Sequence, residues 1–347
     1  MRARLAVVAC LTLVGSIDMV RAIERGARAS TDRAQEFSYS GFTLRDSVLA
    51  LPADERARLR DALCRSAELE LNPRRRDEAS SELFVVTTDV PGRGVAQRLL
   101  AHLDATRERV ASSLGTSGTV RLQTEPVHVY VLASAHAYQR LLSRAQQLSW
   151  SAGFYHPSGF IALNGQWPTQ EFLYRYLMHE ATHALIDRMV RKTGVELPRW
   201  LEEGFADYIG HADLVRGELY PGRHRDRWAG RAFDQRADSF LLVPSAARLD
   251  AAQVKAVVRR GEALSLRDLF TLDSRSFYGA NRQRYYTQAW MAVEFLHHGQ
   301  ADWDTAGFPS FFRAVAEGTP LSEAFQRVYG TQPEALDEAF HKFALQF

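Results

Sequence analysis

Residues 170–192 read QEFLYRYLMHEATHALIDRMVRK, and the period of their apolar positions predicts a single helix. One stripe recurs at helical spacing and is expected to face the core: Phe172, Tyr176, His179, His183, Ile186 and Val190. Two histidines therefore lie on the buried face of this helix. Because four residues make just over one turn, both imidazoles project from the same side and can reach one point.

The central residues of this helix, His179-Glu180-Ala181-Thr182-His183, have the H-E-x-x-H pattern. Two imidazoles at this spacing can bind one Zn²⁺ ion, at roughly 2.0–2.1 Å from each nitrogen. Glu180 lies about 100° around the helix from His179, where it can remove a proton from a water molecule that zinc activates. The chain has only 2 cysteines, too few for a thiolate zinc site, so a further ligand must be histidine or a carboxylate.

A catalytic zinc ion usually has three protein ligands, and the next predicted helix offers two candidates for the third. This helix begins at Pro198 and contains Glu202 and Glu203 one turn later. Glu203 has Asp207 at i+4, and Asp207 can then share its face and hydrogen-bond the distal nitrogen of a zinc-bound histidine. We therefore predict Glu203 as the third ligand, with Asp207 supporting a histidine. Glu202 remains the alternative ligand.

The chain before the zinc-binding helix predicts a small mixed sheet that carries helices on its face. Strands are predicted at 83–88, 127–132, 153–155 and 160–163, and helices at 94–114 and 134–147. After residue 169 the pattern is nearly all helical. The predicted fold class is therefore α+β, with one domain over 83–347 that divides into a sheet and active-site helix (83–192) and a helical part (193–347). Residues 23–82 predict a polar helical segment or linker.

The first 22 residues have the layout of a secretory signal peptide. Arg2 and Arg4 precede an apolar run over 5–15, and small or apolar residues at 20 and 22 suit a cleavage site. The apolar run is shorter than the roughly 20 residues that span a bilayer. We expect an exported protein, periplasmic or secreted, without stable membrane insertion after signal removal. The net charge of +2 gives no indication of a nucleic-acid partner.

The two motifs together resemble those of the gluzincin metallopeptidases, the group that includes thermolysin and the aminopeptidase N-like enzymes. Residues 200–208, WLEEGFADY, are similar to their W-L-x-E-G-x-A-x-Y motif, in which the Glu before Gly binds zinc. This resemblance assigns the third ligand to Glu203, and an Asp four residues later matches Asp207. The aminopeptidase spacing from the second histidine falls on Glu202 instead.

A second resemblance lies at residues 285–289, YYTQA, which are similar to a segment that begins a helix behind the active site of aminopeptidase-like gluzincins. Their tyrosine donates a hydrogen bond to the oxyanion of the tetrahedral intermediate, and this position falls on Tyr286, with Tyr285 as the alternative. A phenol suits this role because it is a donor that stays protonated at neutral pH.

Residues 83–347 also resemble bacterial proteins that have a peptidase MA-like domain, which implies a zincin-like fold. In gluzincins an edge strand over the active-site helix binds extended substrate by strand addition. The resemblance places this edge strand at Phe160 to Asn164, and it implies substrate contacts from Phe160, Ala162 and Asn164. The amine-binding sequence of aminopeptidases is not present at this strand, so exopeptidase specificity is not implied.

The sequence thus leads us to expect an exported zinc peptidase that holds one Zn²⁺ ion and acts on a peptide or protein substrate. Two alternatives remain open at this point. The protein could be a non-catalytic scaffold or binding protein that zinc stabilises, although such a protein has no need for the base Glu180. It could also be a zinc hydrolase whose substrate is a non-peptide amide.

Overall fold

The computed structural model describes residues 48–116, 125–145, 151–167, 170–190, 194–221, 230–234, 239–243, 246–299, 303 and 306–347. The expected signal peptide lies outside these residues. The described chain forms two compact units, one from 48–100 with 125–166 and the other from 101–116 with 167–347. Within the described residues, we find no helix with the length and apolar character needed to cross a membrane.

The first unit contains a mixed sheet, as the sequence predicts, and this sheet has five strands. Its elements are α1 (Ala53–Glu68), β1 (Asp77–Ser80), β2 (Phe84–Thr88), the start of α2 (Val95–Ser113), β3 (Val127–Leu132), α3 (Ala135–Arg144), β4 (Gly153–His156) and β5 (Phe160–Asn164). The strand order is β1-β2-β3-β5-β4. Strands β2, β3 and β5 run parallel, and β1 and β4 pair antiparallel at the two edges. Strand β1 was not predicted, because its sequence DEAS carries no apolar alternation.

The prediction that Phe160 to Asn164 form an edge strand is wrong. Strand β5 pairs with β3 on one side and with β4 on the other, so its backbone has no free side for an added strand. The side chains of Phe160 and Ala162 are fully buried, and Asn164 is half-buried. The substrate contacts predicted for these three residues depended on an edge position, which in the described sheet belongs to β1 and β4.

Helix α1 packs in the same core as the sheet. Its residues Leu63 and Ala67 are buried in a cluster with Tyr130 of β3, Tyr138 of α3 and Phe160 of β5. Helix α3 begins where the sequence predicts it, because the Ser134 side chain caps its first turn by accepting a hydrogen bond from the Ala137 amide. The described part of the N-terminal segment is therefore integral to the first unit.

The second unit is mostly helical, as expected for residues after 169. Its elements are the remainder of α2, then α4 (Gln170–Met189), α5 (Arg199–Gly210), β6 (Asp213–Val215), β7 (Glu218–Tyr220), β8 (Gly230–Asp234), β9 (Ser239–Val243), α6 (Ala246–Arg259), α7 (Leu266–Phe270), α8 (Ser274–Phe277), α9 (Arg282–His298), α10 (Gly307–Ala316), α11 (Leu321–Tyr329) and α12 (Asp337–Gln346). The hairpins β6–β7 and β8–β9 were not predicted. The β6–β7 hairpin turns through Arg216 and Gly217. Both residues have positive φ, which is typical of a tight two-residue hairpin turn.

Two glycines let α5 approach its neighbouring helices closely. A Cβ atom added at Gly204 would lie 2.4 Å from the carbonyl oxygen of Ala289 on α9. A Cβ atom added at Gly210 would lie 3.0 Å from the carbonyl oxygen of Arg175 on α4. Helix α5 is buried along its whole length, so its charged side chains must find partners inside the protein.

Candidate metal centre

Three side chains of the second unit converge on one point. The two Nε2 atoms of His179 and His183 lie 3.1 Å apart, and Oε2 of Glu203 lies 3.3 and 3.4 Å from them. Three atoms bound to one ion at roughly 2.0–2.1 Å with tetrahedral angles are separated by about 3.3–3.4 Å. All three side chains are buried, with 5–8 % of each residue exposed. The triangle therefore has the dimensions of three zinc ligands.

The hydrogen bonding of Glu203 is a second test of whether these residues fit a metal. Its Oε2 atom is buried and accepts no hydrogen bond from the residues that the structure describes. An unsatisfied buried carboxylate oxygen is costly, and a cation within the triangle removes that cost. Two imidazole nitrogens and one carboxylate oxygen are also a donor set that zinc prefers. The residues therefore fit Zn²⁺.

The structure separates the two candidate glutamates. Only Glu203 joins the group that could hold a metal ion. Glu202 lies behind His183, with Oε1 3.3 Å from Nδ1, the ring nitrogen that faces away from Glu203. Its Oε2 accepts a hydrogen bond of 2.8 Å from Nη1 of Arg199. Sequence reasoning considered Glu202 only as a ligand and missed its contact with His183, although Arg199 at i−3 is a signal that this glutamate is paired inside the protein.

Asp207 lies where its spacing from Glu203 places it, behind the other histidine. Its Oδ1 atom is 3.0 Å from Nδ1 of His179, so the ring can donate through Nδ1 and leave Nε2 for a metal. Nη2 of Arg175 lies 3.4 Å from the same oxygen and 2.7 Å from Oδ2 of Asp250. Asp250 in turn lies 3.1 Å from Nε2 of His211. This buried network was not predicted, because it joins α4, α5 and α6 across the unit.

The electrostatics of the centre favour positive charge. Burial alone lowers the pKa of His183, but the charge of Glu203 and the contact with Glu202 outweigh it and raise this pKa to about 9. Burial also lowers the pKa of His179. The hydrogen bond with Asp207 and the charge of Asp207 outweigh burial, so the pKa of His179 is raised. Burial would raise the pKa of Glu203, yet the two histidines lower it. The carboxylates therefore hold protons on the imidazoles unless a metal cation replaces them.

Glu180 and Tyr286 both lie beside this centre. Glu180 is buried on α4. Burial lowers the pKa of His179, the contacts with Asp207 and Glu203 raise it, and the charge of Glu180 raises it further. The ring centroids of Tyr286 and His179 are 6.5 Å apart. Burial, and then the charge of Glu203, raise the pKa of Tyr286, so its phenol remains a donor. Both tyrosines pack on Phe277, with ring centroids 6.2 Å apart for Tyr285 and 5.2 Å apart for Tyr286.

A second tyrosine contacts the centre directly and was missed from the sequence. The hydroxyl of Tyr278 donates a hydrogen bond of 2.5 Å to Oε1 of Glu203. Burial, followed by the charge of Glu203, raises the pKa of Tyr278 and keeps it protonated. Tyr278 follows the short helix α8 and is 75 residues from Glu203 along the chain, so no spacing rule connects the two.

Comparison with known proteins adds no relative to this description. No model of a protein family matches the chain, and a search of curated proteins yields no match. The motifs and the geometry of the centre therefore supply the evidence for function.

Proposed function

We propose that this protein is a zinc-dependent hydrolase of the zincin-like type that cleaves peptide bonds. The observation that carries the proposal is the triangle of His179, His183 and Glu203, with Glu180 one residue from the first histidine on the same helix. A site that only stabilised the fold would not need a further carboxylate beside the metal ligands. Peptide as the substrate is supported by the resemblance of residues 200–208 to the gluzincin motif. Export to the periplasm or beyond is proposed on residues 1–22 alone.

The side chains of the centre have separate roles in the proposed reaction. His179, His183 and Glu203 would hold the zinc ion, which when bound supplies a Lewis acid that lowers the pKa of a coordinated water to about 7. Glu180 takes a proton from the attacking water and returns it to the leaving amine. The hydroxyl of Tyr286 donates a hydrogen bond to the oxyanion that develops on the substrate carbonyl.

The supporting carboxylates keep the two imidazoles in the tautomer that the proposal requires. Asp207 accepts from Nδ1 of His179, and Glu202 accepts from Nδ1 of His183. Each ring is thereby oriented with Nε2 towards Glu203. Both contacts are buried, so water does not compete for them.

The substitution Glu180→Gln, with metal content measured beside activity, tests the proposal. The purified protein should contain one zinc ion per chain by elemental analysis, and Glu180→Gln should retain it. Turnover of a peptide library should fall by about 10²- to 10⁴-fold in this variant, because an amide cannot act as the base. The matched control is Glu171→Gln, the same chemical change in the first turn of α4, which should leave turnover unchanged.

Two results would contradict the proposal. A protein that holds no stoichiometric zinc would remove its basis, and a Glu180→Gln variant that cleaves peptides like the unmodified protein would remove the proposed base. Zinc binding together with no cleavage of any peptide in a broad library would favour a zinc-stabilised scaffold or a non-peptide amide as the substrate.

A further inference from the structure

The short segment from Asp273 to Tyr278 contacts the metal centre through one candidate ligand, Glu203. The Tyr278 hydroxyl donates its hydrogen bond to Oε1 of Glu203, while Oε2 of the same carboxylate faces the two histidines. The two oxygens of Glu203 therefore have different partners. One is held by a phenol, and the other is left without a hydrogen bond among the described residues.

The same segment also supports a second ligand indirectly. Nε of Arg199 donates a hydrogen bond of 2.9 Å to Oγ of Ser274, and Nη1 of Arg199 donates one of 2.8 Å to Glu202. Glu202 in turn contacts Nδ1 of His183. Two of the three candidate ligands are thus connected to α8 and the residue that follows it.

The position of this segment is itself well defined. The Asp273 side chain accepts a hydrogen bond of 2.7 Å from the Ser276 amide and caps α8. Phe277 is fully buried, and its ring lies 5.2 Å from that of Tyr286. The Tyr278 ring itself lies 5.4 Å from that of Phe277 and 6.2 Å from that of Tyr286, and these contacts limit where its hydroxyl can lie relative to Glu203.

We propose that Tyr278 is a positioning residue for Glu203, which holds the carboxylate so that a single oxygen is presented to the metal. A carboxylate that rotates freely can bind a cation through either oxygen or through both. The phenol occupies Oε1 and opposes this rotation, which leaves a coordination position for water and substrate. This inference rests on the proposed function, because it requires zinc at the centre.

The substitution Tyr278→Phe tests the inference, since it removes the hydroxyl and keeps the ring. Zinc affinity, measured by competition with a chelator, should fall about 10- to 100-fold, the usual effect of removing a partner of a metal ligand. The absorption spectrum of the Co²⁺-substituted variant should weaken in the visible range, because a second carboxylate oxygen raises the coordination number. The matched control is Tyr329→Phe, which removes a phenol that donates to the Leu296 carbonyl at 3.4 Å. This control should bind zinc and cobalt like the unmodified protein.

The possible outcomes separate this inference from the proposed function. If the unmodified protein binds no zinc, both fail. If it binds zinc and Tyr278→Phe has the same affinity and cobalt spectrum, the inference is overturned and the proposed function stands. A Tyr278→Phe variant that is only less stable without metal shows a packing role and also overturns it. If this variant does not fold, Tyr278→Met, which lacks the donor but can repack, is measured in the same way.

Discussion

At the residue scale, the three carboxylates of helix α5 differ in the charged groups that they contact. This helix is fully buried. Glu202 forms an ion pair with Arg199, and Asp207 forms one with Arg175. Glu203 has no arginine in contact in the described structure, only a neutral phenol and two imidazoles. Because a buried charge needs a counter-charge, the Glu203 carboxylate depends on protons held by the two imidazoles or on a metal cation that replaces them.

The raised pKa of His183 predicts how stability depends on pH in the metal-free protein. Its pKa is about 9 in the folded state, against about 6.5 in an unfolded chain. The folded protein therefore binds this proton more tightly, and the resulting stability is complete below about pH 6.5 and lost as the pH rises through about 9. Urea denaturation in the presence of a chelator should give a lower free energy of unfolding at pH 9 than at pH 7.

The variant His183→Gln provides the control for this prediction. A glutamine has no proton to lose in this range, so the fall in stability between the two pH values should become smaller. Saturation with zinc should also reduce the fall, because the metal takes the place of the proton. A metal-free protein with equal stability at both pH values would contradict the assignment.

The sequence could predict much of the centre, because helical spacing is a local property. The turn between His179 and His183, and the turn between Glu203 and Asp207, each fix two side chains on one face. The structure brings these four together with Glu180. Tyr278 and Asp250 could not be found in this way, because their contacts depend on how separate helices pack rather than on any spacing.

Strands β4 and β5 illustrate at the element scale where sequence patterns are ambiguous. The turn at 157–159 correctly indicates a hairpin, but it does not say which of its two strands lies at the edge. The continuous apolar run of β5, with four of its five residues buried, is typical of an internal strand rather than of an edge. Strand β1 is short and polar, and the strands of the two hairpins in the second unit have only 3–5 residues, so their alternation gives little signal.

The close contact of α5 with α9 predicts that Gly204→Ala destabilises the protein. Alanine favours a helix by about 1 kcal/mol over glycine, but its Cβ would lie 2.4 Å from a backbone oxygen that cannot move freely. Overpacking of this kind typically costs about 1–3 kcal/mol. Because Glu203 is the preceding residue, the forced shift of α5 should also weaken zinc binding. Thermal denaturation and chelator competition measure the two effects.

A matched control exists at the start of α10. A Cβ atom added at Gly307 would meet Val328 at 3.6 Å, an ordinary van der Waals distance, so Gly307→Ala should leave stability and zinc binding unchanged or raise stability slightly. A Gly204→Ala variant as stable as this control would show that α5 and α9 are not packed as closely as described.

At the scale of the whole molecule, the centre is confined to one unit. Every candidate ligand and supporting residue belongs to the second unit. The first unit contributes a sheet whose strand order joins β2 to β3 and β3 to β5 over long stretches of chain. Such pairing cannot be derived from local patterns, since many strand orders satisfy the same alternation. The sequence motifs therefore predict the residues of the metal centre in more detail than local patterns predict the strand order of the sheet.

The confinement of the centre to one unit predicts where zinc stabilises the molecule. A ligand at 1,000 times its dissociation constant stabilises the state that binds it by about 4 kcal/mol. Removal of zinc should therefore raise amide hydrogen exchange in α4, α5 and α9, which carry the ligands and Tyr286. Peptides from β2, β3 and β5, which supply no ligand, should exchange at the same rate with and without the metal, and they serve as the internal control. An equal loss of protection in both units would contradict this prediction.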